Sequence, residues 1–270
     1  LNRYLYIESY INKLLTMAAN ASSVDKETMV CIYEQLLKEL KNPYLVAEYL
    51  IIKSIDTRLA KKAIQKGDKV LNIGCGYPIN EMIIQSWGIA DRIVGIDLSE
   101  GKITSGTKWL NDLGIKNVEL YRQDALSLSF PQKSSDVVLS FSAIEHVKGW
   151  ANYEKWAENM SSIAKREIVL TTSNKNNALL SFLGRIVKMD SYEHFFAPGE
   201  IEYLLTRYGY KVTYFETSTL WTSAYIPYLP GRLKFNPITV GFDLTIEKLF
   251  GKILKSCGGR MGFIAKKTGT

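Results

Sequence analysis

With 270 residues, 46% hydrophobic and 23% charged, the chain has the composition of a folded domain that buries a sizeable core, which excludes a disordered or fibrous polymer. Its three cysteines, Cys31, Cys75 and Cys257, are scattered and form no C-x-x-C pair, which argues against a disulfide framework or a structural metal site. The net charge of +7 lies mostly at the C-terminal end, where residues 220–270 carry eight Lys or Arg against two acids; this reads first as a solvated surface and second as a face for nucleic acid or anionic lipid.

Apolar runs are broken by charge before the roughly 18 residues a spanning helix needs, and the N-terminus lacks the basic-then-apolar order of a signal peptide. A cytoplasmic protein is expected.

Residues 1–66 read as a helical lead-in. Met29, Ile32, Tyr33, Leu36, Leu37 and Leu40 recur at helical spacing, Asn42-Pro43 interrupts, and Leu45 to Ile64 resumes the pattern. From Gly67 the texture changes to short β-branched runs separated by helical ones. The expected strands are Lys69–Ile73, Arg92–Ile96, Val118–Arg122, Asp136–Phe141 and Glu167–Thr171. Strand alternating with helix means a parallel sheet with crossover helices. A helix from about Pro198 to Tyr208 follows, then the runs Lys211–Glu216 and Arg260–Lys266, which lack the same rhythm and are expected to pair antiparallel at one edge. The expected fold is therefore α/β: a Rossmann-like, seven-stranded, mostly parallel sheet with an antiparallel last strand. The core would span 67–219, a helical and aromatic cap 220–259, and the last strand 260–270.

In such sheets ligands bind outside the carboxyl ends of the strands, so the residues following each strand are the candidates. The first strand runs into Gly74-Cys75-Gly76-Tyr77-Pro78, and a helical pattern follows. Glycine permits the tight turn and close approach of a ligand, while the helix N-terminus offers unpaired N–H groups. The second strand ends in Asp97, about 20 residues after the loop, the place for an acid that accepts from ribose hydroxyls. Taken alone, Asp97 reads equally well as the cap of the next helix. The third strand ends in Gln123-Asp124-Ala125, where an acid can accept from the exocyclic amine of adenine. The fourth leads through Ser140 and Phe141 into Ser142-Ala143-Ile144-Glu145-His146-Val147.

This order of glycine loop, acid, acid and polar segment resembles the class I S-adenosylmethionine-dependent methyltransferases, and most closely the type 11 group of ubiquinone- and menaquinone-pathway enzymes, over residues 67–217 and the last strand. The resemblance implies S-adenosylmethionine as cofactor. It implies that the loop of Gly74 and Gly76 holds the methionine part, Asp97 the ribose, Asp124 and Ala125 the adenine, and that Ser140, Phe141 and Ser142 lie near the sulfonium, with Asn72, Cys75 and Leu98 as further candidates for contact with the cofactor. Two positions depart from the family pattern: Asn72 stands where an acid is usual before the loop, and Pro78 where a third glycine is common. Asn72 can still hydrogen-bond the cofactor's amino group but adds no charge, and Pro78 suits a helix start.

Methyl transfer from a sulfonium is an in-line displacement, needing alignment and, for hydroxyl or carbon acids, removal of a proton. His146 and His194, the only two histidines, are the candidate bases. Packing is the alternative for His194 and helix capping for His146. The expected acceptor is small or lipid-like, with the pocket shaped by the apolar segment Ala178–Leu183 and by Trp221, Tyr225, Tyr228, Phe235 and Phe242. Residues 243–255 form a basic amphipathic pattern that suits the domain surface, a second subunit in a homodimer, or peripheral contact with a membrane.

A nicotinamide dehydrogenase would need glycine at Ile79 and leaves Asp124 without a task. A nucleic-acid methyltransferase would carry a base-flipping motif of the Asn-Pro-Pro-Tyr type after the fourth strand, which is absent here. Transfer of an aminopropyl group from the same cofactor and a non-catalytic scaffold with a degenerate loop stay open at this point.

Overall fold

A computed structural model describes residues 2–177, 194–218 and 258–269. Most of the expected cap, 220–257, including the amphipathic stretch 243–255, lies outside them, as do the apolar segment 178–183 and Cys257.

The lead-in runs as three helices, α1 (Asn2–Ser22), α2 (Lys26–Leu40) and α3 (Pro43–Ala63). Local chemistry sets their ends. Asp25 caps α2 by accepting from the Thr28 amide at 2.7 Å. Lys41 closes the helix in the left-handed conformation, its N–H bonded to the Leu37 carbonyl, and Pro43 opens α3 with the φ a first helical turn needs. Of the periodic apolar residues, Met29, Ile32 and Leu36 are fully buried, each contributing about 1.5–3 kcal/mol relative to an exposed side chain.

The core follows as β1 (Lys69–Ile73), α4 (Ile79–Ser86), β2 (Arg92–Asp97), α5 (Glu100–Asp112), β3 (Val118–Arg122), β4 (Ser135–Phe141), a 3-10 turn (Ile144–His146), α6 (Trp150–Ile163), β5 (Ala164–Ser173), α7 (Pro198–Arg207), β6 (Tyr210–Ser218) and β7 (Arg260–Lys267). The seven strands lie in the order β3-β2-β1-β4-β5-β7-β6. The pairs β1–β2, β1–β4, β2–β3 and β4–β5 are parallel, while β7 runs antiparallel to both β5 and β6. The last strand is thus inserted between β5 and β6 rather than added at the edge.

Alternation along each strand builds two cores. Val70, Ile93, Val137 and Leu139 face the cluster made with α2, α3, α4 and α5, while Leu71, Ile73, Val94 and Val138 face the cluster made with α6 and α7. The strand order reverses direction between β1 and β4, so a crevice is expected above their carboxyl ends. Helix α3 leans on the same sheet: its Asp56 carboxylate, fully buried, accepts from Arg260 of β7 at 2.8 Å and from Thr171 of β5 at 2.8 Å. That buried ion pair fixes α3 over the end of the sheet from which the crevice opens.

Candidate active site

A cavity of about 300 Å³ opens at the switch point. Its wall includes Gly74, Cys75 and Gly76 after β1, Asp97 and Leu98 after β2, Gln123 to Ala125 after β3, and Phe141 to Ala143 after β4. The volume sits at the lower end of the range for small-molecule sites.

The glycine loop is built by backbone demands. Gly74 has φ +78°, and a Cβ placed there would lie 2.3 Å from the Cβ of Ala143, so only glycine lets the loop meet the turn after β4. The amides of Gly74 and Cys75 both donate to the Ile96 carbonyl, at 2.8 and 2.9 Å. Gly76 also has positive φ, and its N–H donates to Asp97 Oδ2 at 2.9 Å. Asp97 Oδ1 accepts from the Ser99 amide at 2.8 Å, and Ser99 itself is the N-cap of α5. Asp97 is therefore not the helix cap. It organises the loop and the helix entry while facing the cavity.

Pro78 at the start of α4 packs on Gly106 of α5, where an added Cβ would come within 2.7 Å of its ring. The missing third glycine of the loop is thus matched by a glycine on the facing helix. Cys75 is buried beneath the loop, and burial pushes its thiol well above the ordinary range, which makes it a packing residue rather than a nucleophile.

Three expected site residues stand off the cavity wall. Asn72 is fully buried on the α4 side of β1, where its Nδ2 donates to Glu81 Oε1 at 2.7 Å. Ser140 is fully buried on the same strand face as Val138, away from Leu139 and Phe141. His194 packs against Tyr153 and Phe196, with ring centroids 5.1 and 4.5 Å away, and its amide donates to the Glu145 carbonyl at 2.9 Å. His146, by contrast, lines the cavity.

The structure also brings in residues that no motif marks, beside Ser142 of the expected sulfonium segment. Tyr49 and Lys53, one turn apart on α3, line the cavity, as do Lys102 of α5 and Trp156 of α6. Ser142 adopts the left-handed conformation at φ 48°, strained for a residue with a Cβ, and is held by its amide's bond to the Thr171 carbonyl at 2.9 Å. Ser142 Oγ and Trp156 Nε1 are buried without a hydrogen-bond partner among the described residues, which leaves polar capacity in the wall for a ligand. Beside His146, the carboxyl of Glu145 accepts from Thr172 at 2.7 Å; burial raises it and the attraction of Arg260 opposes this. Glu81 beneath the loop is pushed up to about 7 by burial, against the Asn72 hydrogen bond that favours its charge.

Residues 70–167 match the family described as a methyltransferase domain. Aklanonic acid methyltransferase from Streptomyces sp. strain C5 is 34% identical over 84 residues, 29% of this chain and 36% of that protein. Demethylmenaquinone methyltransferase from Listeria welshimeri is 33% identical over 76 residues, 28% of this chain and 32% of that protein. The chain thus spans about a third of the length of these relatives. Among solved structures, geranyl diphosphate C-methyltransferase from Streptomyces coelicolor A3(2), in complex with S-adenosyl-L-homocysteine, shares the fold at a TM-score of 0.60 and 15% identity, covering 84% of each chain. No described helix is long and apolar enough to cross a membrane.

Proposed function

With residues 70–167 matching a methyltransferase domain, we propose that this chain transfers a methyl group from S-adenosylmethionine to a small or lipid-like acceptor. The observation that carries the reading is one wall: Gly74, Gly76, Asp97, Asp124 and the turn after β4 converge on a single cavity at the switch point. The two relatives, named for demethylmenaquinone and aklanonic acid, support an acceptor of modest size with apolar character.

The residues present fit the cofactor. Gly76 borders the cavity, Asp97 would accept from ribose hydroxyls, and Asp124 and Leu98 would offer an acceptor and an apolar face for adenine. Leu98 is 64% exposed, and a base lying on it would cover that surface. When bound, S-adenosylmethionine supplies a methyl group on a positively charged sulfur, so the protein's task is to align the acceptor and accept its proton.

On the acceptor side, Phe141, Ala143, Val147 and Trp156 give an apolar wall, and His146 is the titratable group among them. His146 takes the proton from a hydroxyl or carbon acid as the new bond forms, while the apolar wall excludes water. His194, stacked off the wall, supports the position of the Glu145–His146 turn through its amide bond to Glu145. The activity test is incubation of the full chain with S-adenosylmethionine and a panel of quinol, phenolic and carboxylic acceptors. S-adenosylhomocysteine together with a product heavier by one methyl group supports the reading. A product carrying an aminopropyl group, or cofactor binding with no turnover across the panel, counts against it.

A further inference from the structure

Glu81 is a buried acid that the preceding account leaves without a task. It stands in the first turn of α4 and is 0% exposed. Its Oε1 accepts from Asn72 Nδ2 at 2.7 Å, and its Oε2 has no hydrogen-bond partner among the described residues. Asn72 is neutral, so the acid beneath the glycine loop comes from α4 and not from β1. A Cβ added to Gly95 of β2 would meet Cys75 Sγ and Glu81 Oε1 at 3.1 Å each, so Glu81 and Cys75, a residue of the cavity wall, converge on one point of β2. Burial pushes the Glu81 carboxyl up to about 7, against the Asn72 hydrogen bond and the attraction of Lys53 on α3, while Asp97 after β2 adds to the rise. The Cys75 thiol, kept neutral by burial, is the remaining titratable neighbour.

A carboxyl so balanced, one side chain behind the wall, responds to charge brought into the cavity. S-adenosylmethionine carries a positive sulfonium and S-adenosylhomocysteine a neutral sulfide. A cation in the cavity favours the ionised carboxylate, and by linkage the ionised carboxylate favours the cation. Resting on the proposed function, we infer that Glu81 lets the cavity tell the charged cofactor from its neutral product: the ionised carboxylate favours the sulfonium ligand, and protonation removes that preference. Raising the pH through neutrality therefore strengthens S-adenosylmethionine relative to S-adenosylhomocysteine, and binding of S-adenosylmethionine near neutral pH expels a proton from Glu81. Methyl transfer discharges the sulfur, so the attraction ends with the reaction and product gives way to fresh cofactor.

Calorimetric titration of the full chain with each ligand at about pH 6 and about pH 8 tests this. In wild type the affinity for S-adenosylmethionine over S-adenosylhomocysteine rises roughly fivefold or more between the two, the scale of one unit charge acting through protein at an effective dielectric of about 20. Glu81→Gln loses that rise. Titrations near neutral pH in two buffers of different ionisation enthalpy count the protons: wild type releases more on binding S-adenosylmethionine than on binding S-adenosylhomocysteine, and Glu81→Gln lacks the excess. Asn72→Ala, which removes the hydrogen bond favouring the charged form, moves the rise to higher pH and keeps the test decisive should Glu81→Gln fold poorly. A wild-type ratio that does not change with pH, or the same rise and proton release in Glu81→Gln, would overturn the inference and leave Glu81 a packing residue, with the proposed function still standing on the binding itself. Failure of wild type to bind either ligand would remove the proposed function and this inference together.

Discussion

The amide of Gly76 donates to Asp97 Oδ2 at 2.9 Å, so the acid offered to the ligand also ties the glycine loop to the second strand. Two roles follow from one side chain. Asp97→Ala should lower affinity for S-adenosylhomocysteine at least tenfold, since it removes acceptors for charge-assisted bonds worth roughly 1.5–3 kcal/mol each. The same variant should lose about 1–2 kcal/mol of stability by freeing the Gly76 and Ser99 amides. Asp97→Asn, which keeps an acceptor, should recover much of the stability but little of the affinity. Urea melts alongside titration separate the two; loss of stability without loss of affinity would leave Asp97 a purely structural residue.

Gly74→Ala places a methyl group 2.3 Å from Ala143 Cβ in a backbone conformation at φ +78°. Left-handed strain and overpacking add here, and we expect roughly 3 kcal/mol or more of destabilisation. Gly101→Ala, on a helix where nothing lies within 4 Å of an added Cβ, is the control and should be neutral to stabilising. Comparable melting temperatures for the two variants would show that the loop does not pack as described.

Glu81 gives a pH dependence whose sign is fixed. Its folded-state carboxyl is raised to about 7 from an ordinary 4.5 by burial, so between those values the folded state holds a proton that the unfolded state has released. Its contribution to stability is therefore full below about pH 4.5 and is lost as pH rises through 7, by about 3 kcal/mol for a shift of this size. Glu81→Gln should keep the contact with Asn72 and flatten this part of the stability curve. Chemical denaturation at pH 5 and pH 8 checks it: a wild-type-like slope in the variant would contradict the assignment.

Arg260 and Asp56 form a buried ion pair between β7 and α3, 10% and 0% exposed at their side chains. Arg260→Met leaves a buried carboxylate unpaired and should cost about 3–5 kcal/mol. Asp56→Leu combined with Arg260→Met should return most of that loss, because the desolvation of both charges disappears together. Measured by denaturation, a double variant no more stable than Arg260→Met alone would contradict this.

How much of this was legible in the sequence depends on whether the signal is local. The five parallel strands and the glycine loop are written in consecutive residues, and β1 and β3 fall at the expected bounds. The insertion of β7 between β5 and β6 is not, because register between distant strands leaves no local pattern. Lys53 and Tyr49 read as ordinary positions on a helical repeat, and only the packing of α3, held by the Asp56–Arg260 pair, brings them over the loop. Asn72 and Ser140 occupy motif positions, yet Asn72 is taken up beneath the loop by Glu81 and strand alternation puts Ser140 on the face opposite Phe141, neither of which the motif spacing carries. Pro78 departs from the family pattern in isolation, and its counterpart Gly106 is visible only once α5 lies against it. The acceptor-shaping residues expected in 220–257 lie outside the described part of the chain.

His146→Ala should slow turnover about 100-fold or more while leaving S-adenosylhomocysteine affinity near wild type, as expected of a group that acts on the acceptor's proton. His194→Phe, which preserves the stack against Tyr153 and Phe196, should change turnover little. A reversal of the two effects would move the base to His194.

The most direct test of the central claim is calorimetric titration of the full chain with S-adenosylmethionine and with S-adenosylhomocysteine. The account predicts one saturable site of micromolar affinity for each ligand, weakened in Asp97→Ala. Absence of heat on titrating either ligand into folded wild-type protein would contradict it, and would mean that the cavity at the switch point serves a different ligand.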